Sequence, residues 1–496
     1  MKLLIANRGE IALRIIRTCR KLGVRTVAVY SEPDKGSLPL RYADERYPLR
    51  GSTPTDTYLN IPKLINAAKE TNCDAVHPGY GFLSEDERFV RACEENNLAF
   101  IGPSSAALEK LANKLQARKT MKDADVPVIP GSDGPLKDED DAAKVADSIG
   151  YPVILKAVYG GGGRGMRVAN NSEEARRFFR ITTLESRSAF GRDEIYIEKR
   201  LNNPRHIEIQ AIADTHGKIV SLGERECSIQ RRHQKLLEEA PSVALDESLR
   251  SQISSAATEG LRASGYSNAG TVEFLLEETG KFYFLEVNKR LQVEHLVTEL
   301  TTGLDIVEEQ LKIAATSNLE LSQNEVHVKG WAIDCRINAE DPRRNFAPSP
   351  GKVFIYHPPT GPGIRVDSAL FSGCEIPEFY DSLIAKLSVY GANRSDAISR
   401  MKVALDEIEI LGIPTTVPLH RELMRDERFV QGQFDTTYLN TILPRLQSTI
   451  NEFEKIAAVV AAVEKTNKPP NHHLKKAHGP TSRWRAVART QLTSGK

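Results

Sequence analysis

Two glutamates that face each other across a predicted β-hairpin are the first residues in this sequence whose spacing indicates chemistry. Two apolar runs flank the polar stretch 277–280, which is the pattern of a β-hairpin. A two-residue turn at Thr279 and Gly280 places Glu273 directly opposite Glu286. Like charges in that position destabilise a strand pair, and a divalent cation between the carboxylates would remove the repulsion. The hairpin is therefore a candidate metal site.

The residue types around these glutamates narrow the choice of metal. Asn288 alternates onto the same face as Glu286 and offers a third oxygen ligand. No Cys or His accompanies them, so the ligand set favours a hard ion such as Mg²⁺ or Mn²⁺. Two alternatives stay open: the carboxylates are solvated on an exposed sheet face, or a four-residue turn misaligns the pair.

The polar stretch that follows the hairpin predicts an anion site. If the strand continues, alternation sends Arg290, Gln292 and Glu294 to one side. An arginine holds a small planar anion with two parallel hydrogen bonds, and a carboxylate beside it accepts a proton. The alternative is a strand with ordinary surface polar residues.

A second polar run, at 227–235, is also rich in charge. Because it contains Gln230, His233 and Lys235 beside two arginines, it is interpreted as too basic for a core strand. We expect either a solvated face or a second anion site opposite a glycine-rich loop.

That glycine-rich loop, at 160–165, is predicted to cover a phosphate. An apolar strand that ends at Lys156 precedes it, and 166–168 returns to strand character. Glycines let backbone N–H groups approach phosphate oxygens closely, and Lys156 adds a point charge. A following strand excludes a Rossmann fingerprint, and the missing Lys-Ser/Thr excludes a P-loop. The alternative is a flexible turn between two strands.

The elements at the start of the chain predict a doubly wound α/β domain over residues 1–112. An apolar run, a break with a glycine, an amphipathic helix from Ile11 to Cys19 and a second apolar run form a βαβ unit. The predicted strands are 2–6, 26–30, 74–77 and 98–101. Such units build a parallel sheet covered by helices.

The rest of the chain divides into three stretches that differ in composition and in predicted secondary structure. Residues 113–330 combine the glycine loop with β-rich runs, and 331–446 are predicted to be α+β with proline breaks. Residues 447–496 are predicted to form one more helix and a basic tail that has too little apolar surface to fold alone. The apolar face of that helix is Ile450, Phe453, Ala457 and Val460.

The overall composition excludes several classes of function. With 67 Lys and Arg against 66 Asp and Glu, the net charge is +1, which gives no overall attraction to nucleic acid or an anionic membrane. No apolar stretch is long enough to span a bilayer, and the first residues do not form a signal-peptide pattern. The six cysteines form no C-x-x-C pair and are expected to be reduced thiols. We therefore expect a cytoplasmic protein.

Longer motifs make the sequence similar to the biotin carboxylase family from residue 1 to about 445. The motifs are Ile5-Ala-Asn-Arg-Gly-Glu-Ile-Ala, His77-Pro-Gly-Tyr-Gly-Phe-Leu-Ser-Glu, Gly160 to Met166, Asn203-Pro-Arg-His-Ile-Glu, Glu224 to Lys235, Arg290-Leu-Gln-Val-Glu-His and Cys335-Arg-Ile-Asn-Ala-Glu-Asp-Pro. The resemblance implies an ATP-grasp enzyme of mixed α/β and α+β class. Its parts would be a pre-ATP-grasp domain at 1–112, an ATP-grasp domain at 113–330 and a C-terminal biotin carboxylase domain at 331–446.

The same resemblance implies which residues hold each substrate. ATP is expected to contact Lys114, Lys156, Gly161, Gly162, Gly163, Glu198, His206, Gln230 and His233, with Leu201 near the adenine. Two Mg²⁺ or Mn²⁺ ions are expected on Glu273, Glu286 and Asn288. Bicarbonate is expected at Lys235, Arg290, Gln292 and Val293, with Glu294 as the base and Arg336 beside the biotin enolate.

The implied reaction carboxylates biotin with ATP and bicarbonate through carboxyphosphate. The sequence contains no biotin-attachment motif of the Ala-Met-Lys-Met type and no carboxyltransferase segment. We therefore expect the partner to be a biotinylated carrier or carboxyltransferase subunit, with this chain as a homodimer inside a hetero-oligomer. The segment 157–159 is more similar to pyruvate carboxylases than to the usual bacterial acetyl-CoA carboxylase subunit. The segment 482–489 is similar to the end of the biotin carboxylase chain, called A, of two-subunit pyruvate carboxylases.

Several alternatives remain open at this stage. The chain could serve an acetyl-CoA or propionyl-CoA carboxylase, act as a different ATP-grasp ligase, or be an inactive nucleotide-binding homologue. Two positions depart from the family pattern: Lys289 stands where Thr or Pro is usual, and Leu296 stands where Pro is usual. Both adjoin the predicted anion site and are expected to alter its local geometry without replacing a reacting group.

Overall fold

The computed structural model describes residues 1–159 and 165–445, together with Ile456 and Val459. The chain forms two compact units, Met1–Pro444 and Arg445–Lys496, and the following description concerns the first. The predicted lid glycines Gly161, Gly162 and Gly163 lie outside the described residues. So do the apolar face predicted for the last helix and the basic tail.

The N-terminal part is a five-stranded parallel sheet with helices around it. Its elements are β1 (Lys2–Ile5), α1 (Gly9–Lys21), β2 (Arg25–Tyr30), α2 (Pro39–Tyr42), β3 (Glu45–Pro48), α3 (Ile61–Glu70), β4 (Ala75–His77), α4 (Glu87–Glu95), β5 (Ala99–Phe100) and α5 (Ser105–Lys110). The strand order is β3-β2-β1-β4-β5, and every neighbouring pair is parallel. The predicted βαβ pattern is thus present, and its four predicted strands correspond to β1, β2, β4 and β5.

Strand β3 was absent from the expectation because its sequence does not resemble a buried strand. Glu45 to Pro48 alternates charged and half-buried residues and ends in proline. It pairs only with β2 and forms the edge of the sheet. Proline and charge are tolerated at an edge, where one side of the backbone faces no partner strand.

The central part supplies a small sheet and most of a large one. Its elements are α6 (Lys114–Asp123), α7 (Glu139–Ile149), β6 (Val153–Ala157), β7 (Met166–Ala169), α8 (Ser172–Phe190), β8 (Ile195–Lys199), β9 (Arg205–Ala213), β10 (Ile219–Arg231), β11 (Gln234–Ala240), α9 (Glu247–Ser264), β12 (Asn268–Leu276), β13 (Phe282–Asn288), α10 (His295–Thr302) and α11 (Ile306–Thr316). The small sheet is antiparallel in the order β7-β6-β8. Strands β6 and β7 therefore flank the glycine loop, as the sequence predicted.

The C-terminal part continues the large sheet. Its elements are β14 (Trp331–Asn338), β15 (Glu340–Asp341), β16 (Ala347–Pro348), β17 (Gly351–Lys352), β18 (Ile355–His357), β19 (Ile364–Ser368), β20 (Glu375–Ile376), β21 (Leu383–Gly391), α12 (Arg394–Glu407), β22 (Glu409–Leu411), α13 (Val417–Leu423) and α14 (Glu427–Val430). The eight strands run in the order β13-β12-β9-β10-β11-β14-β21-β19, all antiparallel. Because β11 pairs with β14, one sheet carries side chains from both parts to the same face.

The hairpin β12–β13 has the predicted pairing but not the predicted turn. Leu276 pairs with Phe282. Between them, the N–H of Gly280 donates a hydrogen bond to the carbonyl of Glu277, and Gly280 adopts a φ angle of 81°. The turn therefore contains three residues with a left-handed glycine, a common hairpin form, and the predicted two-residue turn is wrong.

A bulge further along the hairpin cancels that error. Phe274 pairs with Phe284 and Glu273 with Glu286, so Leu285 is an extra residue on β13. A one-residue bulge shifts the register by one position. Glu273 therefore lies opposite Glu286, as predicted, although the predicted reason was incomplete.

The prediction that the run 227–235 is too basic for a core strand is wrong for its first half. Cys227 to Gln230 are buried in β10, at the centre of the large sheet. Only the tip of the hairpin is exposed, where Arg232 and His233 both have positive φ. The cationic side chains of this run lie at the tip and along the face of the sheet that lines the cavity described below.

Among the described residues, no helix is long and apolar enough to cross a membrane.

Candidate active site

A cavity of about 720 Å³ lies between the small sheet and one face of the large sheet. Most of the residues predicted to act in catalysis or binding line it. They are Lys114, Lys156, Leu201, His206, Gln230, His233, Lys235, Glu273, Glu286, Asn288, Arg290, Gln292, Val293, Glu294 and Arg336. Glu198 does not line the cavity, but its carboxylate lies 2.5 Å from the ammonium of Lys156. The structure thus brings the described candidates together around one space.

Three glutamates stand side by side on adjacent strands, and two of them, Glu273 and Glu286, line the cavity. Glu208 on β9 pairs with Glu273 on β12, which pairs in turn with Glu286 on β13. Arg225 on β10 lies beside Glu208 and binds its carboxylate. The row is therefore neutralised at its Arg225 end, whereas Glu286 has no hydrogen bond among the described residues.

Lys235 neutralises the middle of the row. Its ammonium lies 2.7 Å from Glu273 and 2.6 Å from Glu294, and it also contacts Glu208. Burial disfavours the charged ammonium, but the three carboxylates outweigh it and hold the pKa of Lys235 well above its ordinary value. The amide oxygen of Gln292 accepts a further hydrogen bond from it at 3.3 Å. Lys235 therefore joins the predicted metal ligands to the predicted anion site.

The open end of the carboxylate row suits a divalent cation. Burial within the cleft and the negative charge of Glu273 raise the pKa of Glu286, although Lys114 opposes the shift. The amide nitrogen of Asn288 donates to Glu273 at 2.7 Å, and its oxygen accepts a hydrogen bond from Arg290 at 3.1 Å. Carboxylate and amide oxygens without sulfur are the ligands of Mg²⁺ or Mn²⁺. These residues fit the ion that the sequence predicted, and the observation that supports it is the Glu286 carboxylate, which makes no hydrogen bond or ion pair among the described residues.

Glu294 is held as a carboxylate by two cations. Lys235 contacts one of its oxygens, and Arg336 donates to the other at 2.8 Å. Burial alone would raise the pKa of Glu294, but Lys235, Arg336 and Arg225 lower it well below the ordinary range. A carboxylate in this state accepts a proton when its cationic partners are drawn to another anion.

The loop 289–294 differs from the expected strand. Strand β13 ends at Asn288, so alternation does not place the following side chains. Gln292 and Glu294 turn towards Lys235, whereas Arg290 donates to Glu85 at 3.3 Å. The residues predicted to bind an anion therefore lie on a loop rather than on a strand face, and all three side chains still border the same cavity.

The half of the cavity that contains the predicted ATP contacts combines two lysines with an apolar wall. Lys156 is paired with Glu198, and burial lowers the pKa of Lys114. Burial and the neighbouring cations lower the pKa of His233, which keeps this imidazole neutral. The apolar side chains that line this half are Ile129, Ile154, Met166, Val168, Leu201, Leu275 and Leu285. An aromatic base and a polyphosphate find complementary surfaces here.

Some contributors to the site were not found from the sequence. Glu238 is fully buried and accepts a hydrogen bond from Arg336 at 2.7 Å. Glu208 and Arg225 complete the carboxylate row, and Glu85 fixes the loop from the N-terminal part. Each of the four belongs to one of the family motifs or adjoins one, but charge alone gave no indication of their partners. Strand pairing, which the sequence did not specify here, is the signal that identifies Glu208, Arg225 and Glu238, whereas Glu85 lies on no strand.

The two departures from the family pattern occupy structural positions. Lys289 donates from its ammonium to the carbonyl of Leu111 at 3.0 Å and from its backbone to Glu85. Leu296 is fully buried in the first turn of α10. Neither side chain lines the cavity, so the expectation that no reacting group is replaced agrees with their placement.

Comparison with known proteins identifies the family. The profile described as "Biotin carboxylase, N-terminal domain" matches residues 1–108, "Carbamoyl-phosphate synthase L chain, ATP binding domain" matches 113–322, and "Biotin carboxylase C-terminal domain" matches 334–441. Biotin carboxylase 1 of Bacillus subtilis is 52% identical over 441 residues, which cover 89% of this chain and 98% of that protein. The chain belongs to the biotin carboxylase family. The predicted resemblance and three-part fold class are confirmed, and the chain is an enzyme of the ligase class.

Two further relatives belong to carboxylases that differ in the molecule they carboxylate. The A chain of pyruvate carboxylase from Methanothermobacter thermautotrophicus is 48% identical over 480 residues, and the match covers 93% of this chain and 98% of that protein. The biotin carboxylase domain dimer of Hydrogenobacter thermophilus 2-oxoglutarate carboxylase, solved with MgADP, ADP and bicarbonate, superposes with a TM-score of 0.87. It is 48% identical, and the match covers 90% of this chain and 98% of that one.

Removing the charge at the open end of the carboxylate row tests the metal site. We expect Glu286→Gln to raise the Mg²⁺ concentration needed for half-maximal ATP cleavage on the order of 10- to 100-fold, as is typical when a metal site loses support. The measurement is a Mg²⁺ titration of ATP cleavage. The matched control is Glu278→Gln in the turn of the same hairpin, whose exposed carboxylate lies outside the cavity. Equal Mg²⁺ dependence of both variants would contradict the metal assignment.

The buried carboxyl of Glu238 predicts a dependence of stability on pH. Burial raises its pKa to about 8 against the opposing charge of Arg336. The native state therefore retains a proton that the unfolded chain releases near its ordinary pKa of 4.5. The stability contributed by this proton is present at acid pH and is lost as the pH rises towards 8.

We expect Glu238→Gln to flatten that dependence, because glutamine does not titrate. The free energy of unfolding should fall less between about pH 5 and 8 than in the wild type. Urea unfolding at several pH values measures it, with Glu278→Gln again as the control. Parallel curves for Glu238→Gln and the wild type would show that Glu238 is ionised throughout.

Proposed function

We propose that this biotin carboxylase belongs to a two-subunit pyruvate carboxylase and carboxylates biotin on a separate carrier chain. The observation that carries the proposal is the extent of the matches. The match to the A chain of pyruvate carboxylase covers 93% of this chain, whereas that to Biotin carboxylase 1 covers 89%, although both cover 98% of the relative. The similarity to the pyruvate carboxylase chain therefore includes residues beyond 441, where the last family profile ends. The short similarities at 157–159 and 482–489 favour the same assignment.

In the proposed reaction, bicarbonate lies between Lys235, Arg290 and Gln292, with Val293 beside it. The two cations and the amide match the charge and the donors that a planar anion needs. Lys114, Lys156 and His233 face the phosphates of ATP. A divalent ion on Glu273, Glu286 and Asn288 would shield the phosphate charge when it is bound.

Glu294 acts as the base in this proposal. It takes the proton of bicarbonate, and a carbonate oxygen attacks the γ-phosphorus, so that an O–P bond forms as the bond to ADP breaks. The carboxyphosphate separates into CO₂ and phosphate, and the phosphate takes the proton of the biotin ureido nitrogen. That nitrogen then attacks CO₂, while Arg336 stabilises the negative charge on the ureido oxygen.

Other carboxyl acceptors remain competing proposals, because the acceptor is chosen on a different chain. The structural relative from Hydrogenobacter thermophilus belongs to a 2-oxoglutarate carboxylase, and acetyl-CoA or propionyl-CoA would use the same chemistry at this site. The retained Lys235, Glu294 and Arg336 argue against an inactive homologue.

Incorporation of labelled bicarbonate into each candidate acceptor distinguishes these proposals. The chain, purified from its source with its biotinylated partner, is incubated with ATP, Mg²⁺ and labelled bicarbonate. We expect acid-stable label with pyruvate, and none with 2-oxoglutarate, acetyl-CoA or propionyl-CoA. Label with one of the latter alone would replace pyruvate as the acceptor. ATP cleavage without bicarbonate would contradict the biotin carboxylase reaction itself.

Substitutions of the base and the enolate partner test the mechanism. With free biotin as substrate, Glu294→Gln should abolish bicarbonate-dependent ATP cleavage while MgADP still binds, since the amide accepts no proton. Arg336→Ala should lower the rate on the order of 10²- to 10³-fold, the usual effect of losing one donor to a developing oxyanion. Near-normal rates in both variants would exclude these roles. Arg394→Met, which removes a half-buried cation outside the cavity, is the control.

A further inference from the structure

Lys386 is a fully buried lysine that the proposed mechanism does not use. It lies in the middle of β21, with none of its surface exposed to solvent. Its strand neighbours are Arg336 on one side and Asp367 on the other. It does not line the cavity. A buried ammonium is costly unless specific partners compensate it, so its partners indicate its role.

Those partners come from two other parts of the molecule. The ammonium of Lys386 donates to the backbone carbonyl of Val293 at 3.1 Å. It lies 3.1 Å from the carboxylate of Glu10, at the start of α1, and 5.5 Å from the centre of the Tyr80 ring. Lys386 thus joins the loop that carries the anion-site residues to the N-terminal part, from outside the cavity.

We propose that Lys386 is a positioning residue for bicarbonate, which acts by fixing the peptide unit between Val293 and Glu294. The carbonyl of Val293 and the N–H of Glu294 belong to one rigid plane. A hydrogen bond to that carbonyl therefore sets the direction in which Val293 meets the anion and Glu294 presents its carboxylate. This inference rests on the proposed site roles and extends them to a residue that touches no substrate.

The loop needs such a support because it has no regular structure. Residues 289–294 follow the end of β13 and precede α10, so no strand ladder holds them. The start of the loop is fixed by Glu85, which accepts hydrogen bonds from the backbone of Lys289 and from Arg290. Lys386 fixes its end. The loop is thereby held at both ends, and Lys386 does so without entering the cavity.

The effect of replacing Lys386 on the kinetics differs between a positioning role and a purely structural ion pair with Glu10. Replacing a buried ion pair with apolar residues is often neutral or stabilising. Glu10 also tolerates the loss of its partner, because burial raises its pKa to about 7 and lets it take up a proton. Lys386→Met is therefore expected to fold, and its kinetics separate the two roles.

The experiment compares bicarbonate-dependent ATP cleavage by the wild type and Lys386→Met, with free biotin present. We expect the KM for bicarbonate to rise and kcat to fall, with a combined loss in kcat/KM on the order of 10²-fold, as for a reacting group displaced by about 1 Å. The KM for ATP should stay near the wild-type value, because Lys114, Lys156 and His233, which are proposed to face the phosphates, lie outside this loop. The double variant Glu10→Gln/Lys386→Met, which removes both charges of this ion pair, should show the same bicarbonate defect.

Arg394→Met is the matched control for this experiment. Arg394 also donates to backbone carbonyls, those of Phe429 and Val430, but away from the cavity. It should lose thermal stability and keep the wild-type KM for bicarbonate. An unchanged KM for bicarbonate and unchanged kcat in folded Lys386→Met or in the double variant would overturn the inference alone. A wild-type enzyme whose ATP cleavage ignores bicarbonate would overturn the proposed site roles and this inference together.

Discussion

The row of carboxylates formed by Glu208, Glu273 and Glu286 is the constraint on which the rest of the site depends. Three like charges on adjacent strands repel each other unless cations are supplied at close range. The chain supplies Arg225 at one end and Lys235 above the middle. At the other end, Glu286 makes no ion pair with the described residues, although the charge of Lys114 acts on it. The proposed metal site at that end and the proposed anion site at the middle therefore arise from one arrangement of charge.

This arrangement depends on a sheet that crosses the boundary between two parts of the chain. Strand β11 carries Lys235 and Glu238, and its neighbour β14 carries Arg336. Because both strands belong to one sheet, Lys235 and Arg336 reach the two oxygens of Glu294 from different parts of the sequence. The N-terminal part contributes Glu85, which binds the loop 289–294, and Glu10, which pairs with Lys386. All three parts therefore build the cavity, and each part alone would leave buried charges without partners.

Local patterns in the sequence predicted the parts of the site that depend on local structure. The parallel N-terminal sheet follows from its apolar runs, and the pairing of Glu273 with Glu286 follows from the hairpin. That second success involved two errors of one residue, a longer turn and a bulge at Leu285, whose effects on the register cancel. A sequence indicates the existence of a hairpin more readily than a bulge, since a bulge is set by the packing of the neighbouring strands.

The residues that were missed depend on contacts far along the chain. Arg225 contacts Glu208 across a strand pair, and Glu238 contacts Arg336 across 98 positions of sequence. The charged run 227–235 was misjudged for the same reason: polar residues in a central strand are tolerated when they face a cavity lined with partners. Neither charge nor alternation reveals which face that is. Motif resemblance indicated the residues that are proposed to contact substrates, and strand pairing identified Glu208, Arg225 and Glu238, which hold them.

The low pKa of Glu294 has a consequence for the order of events in the proposed reaction. Without bicarbonate, Lys235 and Arg336 bind both oxygens of the carboxylate, and it is a weak base. Bicarbonate is itself an anion and competes for the same cations. Of these two cations, Lys235 belongs to the proposed bicarbonate site; as its ammonium turns towards the substrate, Glu294 loses one of the charges that stabilise its ionised form, and its affinity for a proton rises. The base thus becomes effective only when its substrate is bound, which couples proton removal to occupancy of the site and disfavours activation of water in its place.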